Sequence, residues 1–242
     1  MGHSERTALS TASCAPDATG PSDTARRGLS DGGRRAALAT LAVALGVLAL
    51  GAWAVGDGQP LPGEVGAVEA WNGLPAVIGW PLPAVMQLGT LWAGLLAVVT
   101  CAWWCRRVGM LAPAALFVSV AIAFRLDNAL KDIIERPRPY DVLPDLEARD
   151  HVGGFAYPSG HTTMAVAIVA ALHPALPRPA RVAAWVLATL VAVARLHVGA
   201  HWPLDLVGGA ALGIAIAAAA WLVVDRLPRC WFAPPDRAER DR

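Results

Sequence analysis

The sequence predicts an all-α integral membrane protein, a six-transmembrane-helix bundle behind a disordered N-terminal tail, and two observations carry that expectation. Of 242 residues, 55% are apolar and only 16% charged, against about 25% charged in an ordinary soluble domain. The apolar residues are also gathered into blocks, several of which approach the roughly 20 residues needed to cross a ~30 Å hydrocarbon core. Twenty Lys and Arg against nineteen Asp and Glu give a formal net charge of +1, which removes the basic surface that nucleic-acid binding requires. The expected surrounding is therefore the bilayer, with no nucleic-acid partner; oligomeric state leaves no signal in the sequence.

Residues 1–35 are rich in Ser, Thr, Ala, Gly and Asp, lack an apolar period and end in Arg26, Arg27, Arg34 and Arg35, the composition of a disordered tail. The first apolar block, 36–55, begins too far from Met1 for a cleaved signal peptide and reads as an uncleaved span. Residues 61–83, with Trp71, Trp80 and several prolines, read as an interfacial segment lying on the membrane. Five further spans follow at 84–104, 108–130, 159–176, 182–198 and 204–224; of the six, the fourth (159–176) and fifth (182–198) are the weakest, being short or ending in polar residues. A six-span domain of 36–225 and a C-terminal tail of 226–242 result. Cys14, Cys101, Cys105 and Cys230 sit in contexts that suit small apolar side chains rather than a disulfide framework. No further ligands for zinc accompany them.

Cytoplasmic loops carry an excess of Lys and Arg. With the N-terminus inside, 14 of the 20 cations fall in inner segments, whereas residues 57–83 hold none and carry Asp57, Glu64 and Glu69. Both termini are expected in the cytoplasm of a plasma-membrane protein. Arg125, Lys131, Arg136, Arg138, Arg149 and Arg195 break the bias, since all map to outer span ends or to the loop after span three.

Those exceptions belong to three segments that this topology brings to the outer face: Lys131 to Pro139, Pro158-Ser159-Gly160-His161, and Arg195 to Asp205. Ionisable residues at membrane depth are functional candidates by default. Lys131 is the one lysine among nineteen arginines, so a compact ammonium suits that position, for a ligand or for lipid headgroups. Ser159 suits an N-cap, Gly160 lets a ligand approach the backbone, and the free amides of the first helical turn form an anion site. His201 and Asp205 are four apart at the start of span six, where Pro203 suits the first turn. The carboxylate can bond one imidazole nitrogen and leave the other as a nucleophile, or the two can form a structural pair. Arg195 offers a planar fork for phosphate oxygens, or snorkels to the interface. His197 reads as packing, His173 as structural, Asp127 and Arg125 as possible partners for Lys131, and His151, Phe155 and Tyr157 as lining or covering the outer site.

Taken together, Lys131 with six residues to Arg138-Pro139, then Pro158-Ser159-Gly160-His161, then Arg195 with five residues to His201 and three to Asp205, resembles the three-part signature of the type 2 phosphatidic acid phosphatase superfamily. The motifs cover about 75 residues and, with the six-span layout, the resemblance extends roughly over 36–225. It implies a metal-independent lipid phosphatase working through a phosphohistidine on the outer face. His201 would be the nucleophile, Asp205 its orienting partner and His161 the acid that protonates the leaving oxygen. Lys131, Arg138, Arg195, Ser159 and the Gly160 amide would hold the phosphate. Ala194 replaces the serine that often precedes the third-motif arginine. No cofactor or metal is implied, because three cations and helix-start amides suffice to neutralise a phosphoryl transition state. The implied substrates are polyprenyl pyrophosphate, phosphatidate or phosphatidylglycerophosphate. A phosphotransferase using the same phosphoenzyme is one rival, and an anion or lipid transporter another; the latter is opposed by charges that sit at span ends rather than in broken helices at the midplane, and by the absence of a repeat.

The orientation has a direct test in a background with the native cysteines replaced by Ala. A cysteine placed at Gly153 is expected to react with an impermeant thiol reagent in intact cells, and one at Pro179 to react only after permeabilisation. The reverse pattern would invert the topology.

Overall fold

A computed structural model of the chain describes residues 29–75, 79–105, 110–151 and 153–227. The expectations for residues 1–28, for Arg106 and Arg107, and for Cys230 and the tail beyond 227 lie outside these. Among the described residues all regular structure is helical and no strand occurs. The elements are α1 (Asp31–Ala54), α2 (Glu64–Asn72), α3 (Leu82–Met86), a 3-10 turn (Gln87–Gly89), α4 (Leu91–Cys105), α5 (Leu111–Ile134), α6 (Pro139–Val142), α7 (Gly160–Leu172), α8 (Arg178–His197) and α9 (Pro203–Val224).

Helix α1 starts five residues before the expected boundary. Ser30 takes the N-cap position and its Oγ accepts from the Gly33 amide at 3.1 Å, with Asp31 in the first turn, where a carboxylate favours the positive end of the helix dipole. Arg34 then pairs with Asp225 at 2.7 Å, and Asp225 also accepts from the Leu29 amide at 2.8 Å. Residues 31–35, tail-like by composition, are thus fastened to the end of α9.

The second expected span is broken. Leu82–Gly89 and α4 meet at 64°, because Thr90 is extended (ψ 161°) and its Oγ1 bonds the Gln87 carbonyl at 2.8 Å. The fourth ends at Leu172 rather than 176: His173 keeps helical dihedrals (φ −48°, ψ −45°), but Pro174 has no amide hydrogen with which to continue the helical ladder. The fifth begins earlier, at Arg178, with a proline suited to the first turn.

Among the described residues four stretches are long and apolar enough to cross a membrane: α1, Leu111–Val142, α8 and α9; the bent pair passes as one more, and α7 is shorter at 13 residues. Large apolar side chains face outward along them, Trp53 and Trp92 being 83% and 78% exposed, as expected for a hydrocarbon surround rather than water. The core lies where α5, α7 and α9 meet, around Leu116, Val120, Met164, Ala167, Leu212 and Ile216.

A close helix approach positions the site. A Cβ added to Gly209 would lie 2.6 Å from the Ser159 carbonyl oxygen, and one on Gly213 2.7 Å from that of Thr163. The paired glycines let α9 run backbone against backbone along α7, the small-residue packing familiar in membrane helices. Because the Gly209 contact is with backbone, a methyl there forces the helices apart. Gly209→Ala is expected to cost about 1–3 kcal/mol, the usual range for overpacking, read as a lower midpoint in thermal unfolding of the detergent-solubilised protein.

Candidate active site

All three sequence segments converge at one end of the bundle. Lys131 closes the last turns of α5, Arg138 is the N-cap residue of α6, Ser159 and Gly160 open α7, Arg195 lies in the last turn of α8, and Asp205 is the third residue of α9. Arg138, Arg195, Ser159, His201 and Asp205 are buried, whereas His161, Gly160 and Lys131 are partly open.

His201 precedes α9 rather than lying on its face, as its four-residue spacing from Asp205 had suggested. Trp202 is the N-cap, and Asp205 Oδ2 accepts from its amide at 2.7 Å. The same oxygen lies 3.5 Å from His201 Nδ1, which has no hydrogen-bond partner. On the other side of the ring, Arg138 Nη1 stands 3.3 Å from Nε2. A guanidinium only donates, so this contact requires a lone pair on Nε2 and leaves the ring proton on Nδ1, facing Asp205. Burial first, and then the charges of Arg195, Arg138 and Lys131 and the nearby His161, hold the His201 imidazolium well below the ordinary histidine range. The ring is therefore neutral at neutral pH, with a free Nε2 lone pair.

The cations are held by other groups. Arg138 donates from Nε to the Gly154 carbonyl at 2.8 Å, from Nη1 to that of Ala200 at 3.0 Å, and from Nη2 to that of Gly153 at 3.3 Å. Arg195 Nη1 meets Asp150 Oδ2 and Met86 Sδ, each at 2.6 Å, while its Nε and Nη2 are buried without partners. Lys131 Nζ bonds Asp127 Oδ2 at 3.0 Å, so Asp127 does position the lysine, whereas Arg125 is exposed. Gly160 serves this same junction, since an added Cβ would collide with the Asp127 carboxylate and lie 3.0 Å from Lys131 Nζ. Ser159 caps α7 without its side chain, because its Oγ accepts instead from Thr162 Oγ1 at 3.1 Å.

Two residues that sequence reasoning left without a role complete the site. Arg136, fully buried, donates Nη1 to Asp205 Oδ1 at 2.6 Å and Nη2 to Glu64 Oε2. Glu64, read as an outer-loop charge, is buried, and its Oε1 accepts from the Leu204 amide at 3.0 Å. The available signal was the doubled Arg-Pro of 136–139; nothing local marks Glu64. Of the remaining candidates, His197 is a packing residue bonded to the Trp71 carbonyl at 2.9 Å, and His173 accepts from Trp185 Nε1 at 3.1 Å at the far end of the bundle. Tyr157 is buried against α1, its hydroxyl donating to the Leu48 carbonyl at 2.8 Å, while exposed His151 lies 5.6 Å from the Tyr140 ring. Cys101 and Cys105 are free thiols with their sulfurs 4.0 Å apart.

Chemically this arrangement can hold an oxyanion beside a neutral imidazole: two unspent guanidinium nitrogens on Arg195, a partly open ammonium and a helix start. Orthovanadate, which adopts the five-coordinate shape of a transferring phosphoryl group, is expected to raise the thermal unfolding midpoint by mass action. The Arg195→Ala variant is expected to lose that protection.

Comparison with known proteins agrees with this geometry. Residues 112–229 match the family profile described as PAP2 superfamily. An undecaprenyl-diphosphatase of Sulfolobus acidocaldarius is 30% identical over 109 residues, covering 45% of this chain and 51% of that protein. A lipid A 1-phosphatase of Rhizobium etli is 36% identical over 105 residues, covering 41% and 45%; the match thus spans about half the length of these relatives. The crystal structure of the transmembrane PAP2-type phosphatidylglycerolphosphate phosphatase from Bacillus subtilis superposes with a TM-score of 0.64 at 20% identity, over 78% of this chain and 98% of that one. Residues 112–229, which hold all three motifs in the arrangement described, are thus similar to the PAP2 superfamily.

Proposed function

We propose that the protein is a metal-independent membrane phosphatase that hydrolyses a phosphomonoester or pyrophosphate of a lipid on the outer face of the plasma membrane. The observation that carries this reading is the Arg138 contact to His201 Nε2, because it leaves the proton on the Asp205 side and the lone pair toward the cations. In the first step Nε2 attacks phosphorus, the bond to the leaving oxygen breaks, and His161 gives that oxygen a proton. Asp205 stabilises the positive charge that develops on the ring. In the second step His161 takes a proton from water, the water oxygen attacks phosphorus, and the P–N bond breaks to release phosphate. Lys131, Arg138, Arg195, Ser159 and the Gly160 amide hold the phosphoryl oxygens throughout.

The six apolar helical stretches α1, α3 with α4, α5, α7, α8 and α9 are read as six spans with both termini cytoplasmic. Arg178 and Arg181 lie at the end opposite the pocket, the arrangement that the positive-inside rule favours for a site facing outward. A lipid substrate is supported by an apolar cleft of about 190 Å³ between α4, α7 and α8, lined by Leu88, Ala97, Ala165, Ile168, Ala188 and Val191. Its upper end adjoins the site: a Cβ on Gly89, next to Leu88, would lie 2.5 Å from the His161 carbonyl oxygen and 2.9 Å from Val191. The polyprenyl diphosphate, lipid A and phosphatidylglycerophosphate activities named for the relatives share one chemistry, a phosphate at the head of a membrane-bound tail.

The purified protein is expected to release inorganic phosphate from a panel of lipid phosphates and pyrophosphates in the presence of EDTA. His201→Ala is expected to abolish turnover on every substrate. His161→Ala is expected to lose far more activity on a lipid monophosphate, whose alkoxide needs a proton, than on p-nitrophenyl phosphate, whose phenolate leaves unaided. Equal losses for both variants on both substrates would remove the role assignment. Phosphate release that required an added acceptor would make the protein a transferase.

A further inference from the structure

Arg136 is enclosed by two carboxylates from elements remote in sequence, Glu64 of α2 and Asp205 of α9. Its guanidinium carbon lies 5.5 Å from the centroid of the Trp202 ring. Glu64 occupies the first position of α2, and besides Arg136 it accepts from the Leu61 amide at 2.8 Å and from the Leu204 amide, in the first turn of α9, at 3.0 Å. A single side chain thus ties the helix outside the bundle to both the guanidinium beside Asp205 and the backbone that carries Asp205.

We infer that Glu64 is a positioning residue for the reaction, holding Arg136 so that Asp205 keeps one oxygen and its negative charge for His201. The inference rests on the reading of His201 as nucleophile. With both carboxylates ionised, the Glu64–Arg136–Asp205 group carries a net charge of −1. The other charged or titratable neighbours of His201 are Lys131 with Asp127 from α5, Arg138 beside α6, Asp150 from the following loop, His161 of α7 and Arg195 of α8. Three of these are cations, one is a second imidazole, and the two carboxylates, Asp127 and Asp150, are paired with Lys131 and Arg195, so the anionic Glu64–Arg136–Asp205 group is what steadies a positive ring. Nucleophilic attack through Nε2 creates such a ring, and so does protonation. Removing the charge of Glu64 leaves the group neutral, and both processes become harder in a buried site where charges are poorly screened.

Two signatures distinguish this role from simple support. Glu64→Gln preserves size and one acceptor oxygen, enough for the Leu61 or the Leu204 amide but not both, and is expected to lower kcat about 10- to 100-fold while KM changes less than about twofold, the pattern of an interaction realised in the transition state. It is also expected to move the acid limb of the kcat/KM profile to lower pH. Glu64→Asp, which keeps the charge, is expected to hold the acid limb at the wild-type position. The Glu64→Gln/Arg136→Gln pair, which removes the cation as well, is expected to return the limb toward or above it. Substrate ionisation is common to all these enzymes, so differences between profiles belong to the protein. If Glu64→Gln fails to fold, the double variant carries the comparison, and an acid limb below wild type overturns the inference. A folded Glu64→Gln enzyme with a lower thermal midpoint but an unmoved limb overturns it too, making Glu64 a support only. Trapping of labelled enzyme under alkaline conditions, where a phosphohistidine survives, separates the two levels: wild type that forms no His201-linked phosphoenzyme defeats the nucleophile reading, and this inference with it. Wild type that forms the phosphoenzyme while the variant profile stays put defeats the inference alone.

Discussion

A guanidinium does not give up its proton in a protein, so an arginine with no solvent exposure must be met by negative charge wherever the chain can bring it. Arg136 imposes that constraint here. Its two carboxylates come from the helix after α1 and from the first turn of α9, and the backbone around it is sewn to the remaining segments. The Arg136 carbonyl accepts from the Ala156 amide at 2.8 Å, Trp202 Nε1 donates to the Pro137 carbonyl at 3.0 Å, and the Ser159 amide donates to the Asp205 carbonyl at 3.0 Å. Three stretches far apart in sequence are thereby brought into register around one buried charge. Breaking such a buried set from one side is far more damaging than the set's net worth, because the survivor is left uncompensated.

The remaining cations follow a different logic, each restrained but not saturated. Lys131 is anchored by a carboxylate one helical turn earlier yet keeps an opening to the pocket. Arg195 is fixed through one nitrogen by Asp150 and leaves two others unused. Arg138 spends its donors mainly on carbonyls of the 153–154 loop and Ala200, which orient it without cancelling its charge. Donors fixed in advance and left partly unsatisfied are what electrostatic stabilisation of a phosphoryl group demands, since little reorganisation remains when the ligand arrives.

The apolar stretches were legible in the sequence because hydropathy acts over whole helices and survives errors of a few residues at either end. The three motifs were legible because each combines a helix terminus with a residue type that membranes disfavour. What escaped depended on partners distant along the chain. Glu64 is an unremarkable loop acid until Arg136 and the Leu204 amide, 140 residues away, are placed against it. The bend at Thr90 combines a local bond from its hydroxyl to the Gln87 carbonyl with a close passage of Gly89 past the His161 carbonyl, a tertiary contact that leaves no trace in the sequence. Ser159 looked like a side-chain cap, yet Thr162 takes its hydroxyl, a competition that propensity alone does not rank. The early start of α1 was written locally in Ser30 and Asp31, and was obscured by the polar composition around them.

The ion pair between Arg34 and Asp225 puts the beginning of α1 and the finish of α9 at the same end of the bundle, as the proposed six-span layout requires. Among the described residues the long helices number five with the bent pair taken as one, and in that proposed layout α7 is the sixth passage. At 13 residues this helix spans only about 20 Å, too little to stand alone in hydrocarbon. It is sheathed by α4, α5, α8 and α9, so its polar ends meet protein rather than lipid, and a short passage becomes admissible where an exposed one would not be.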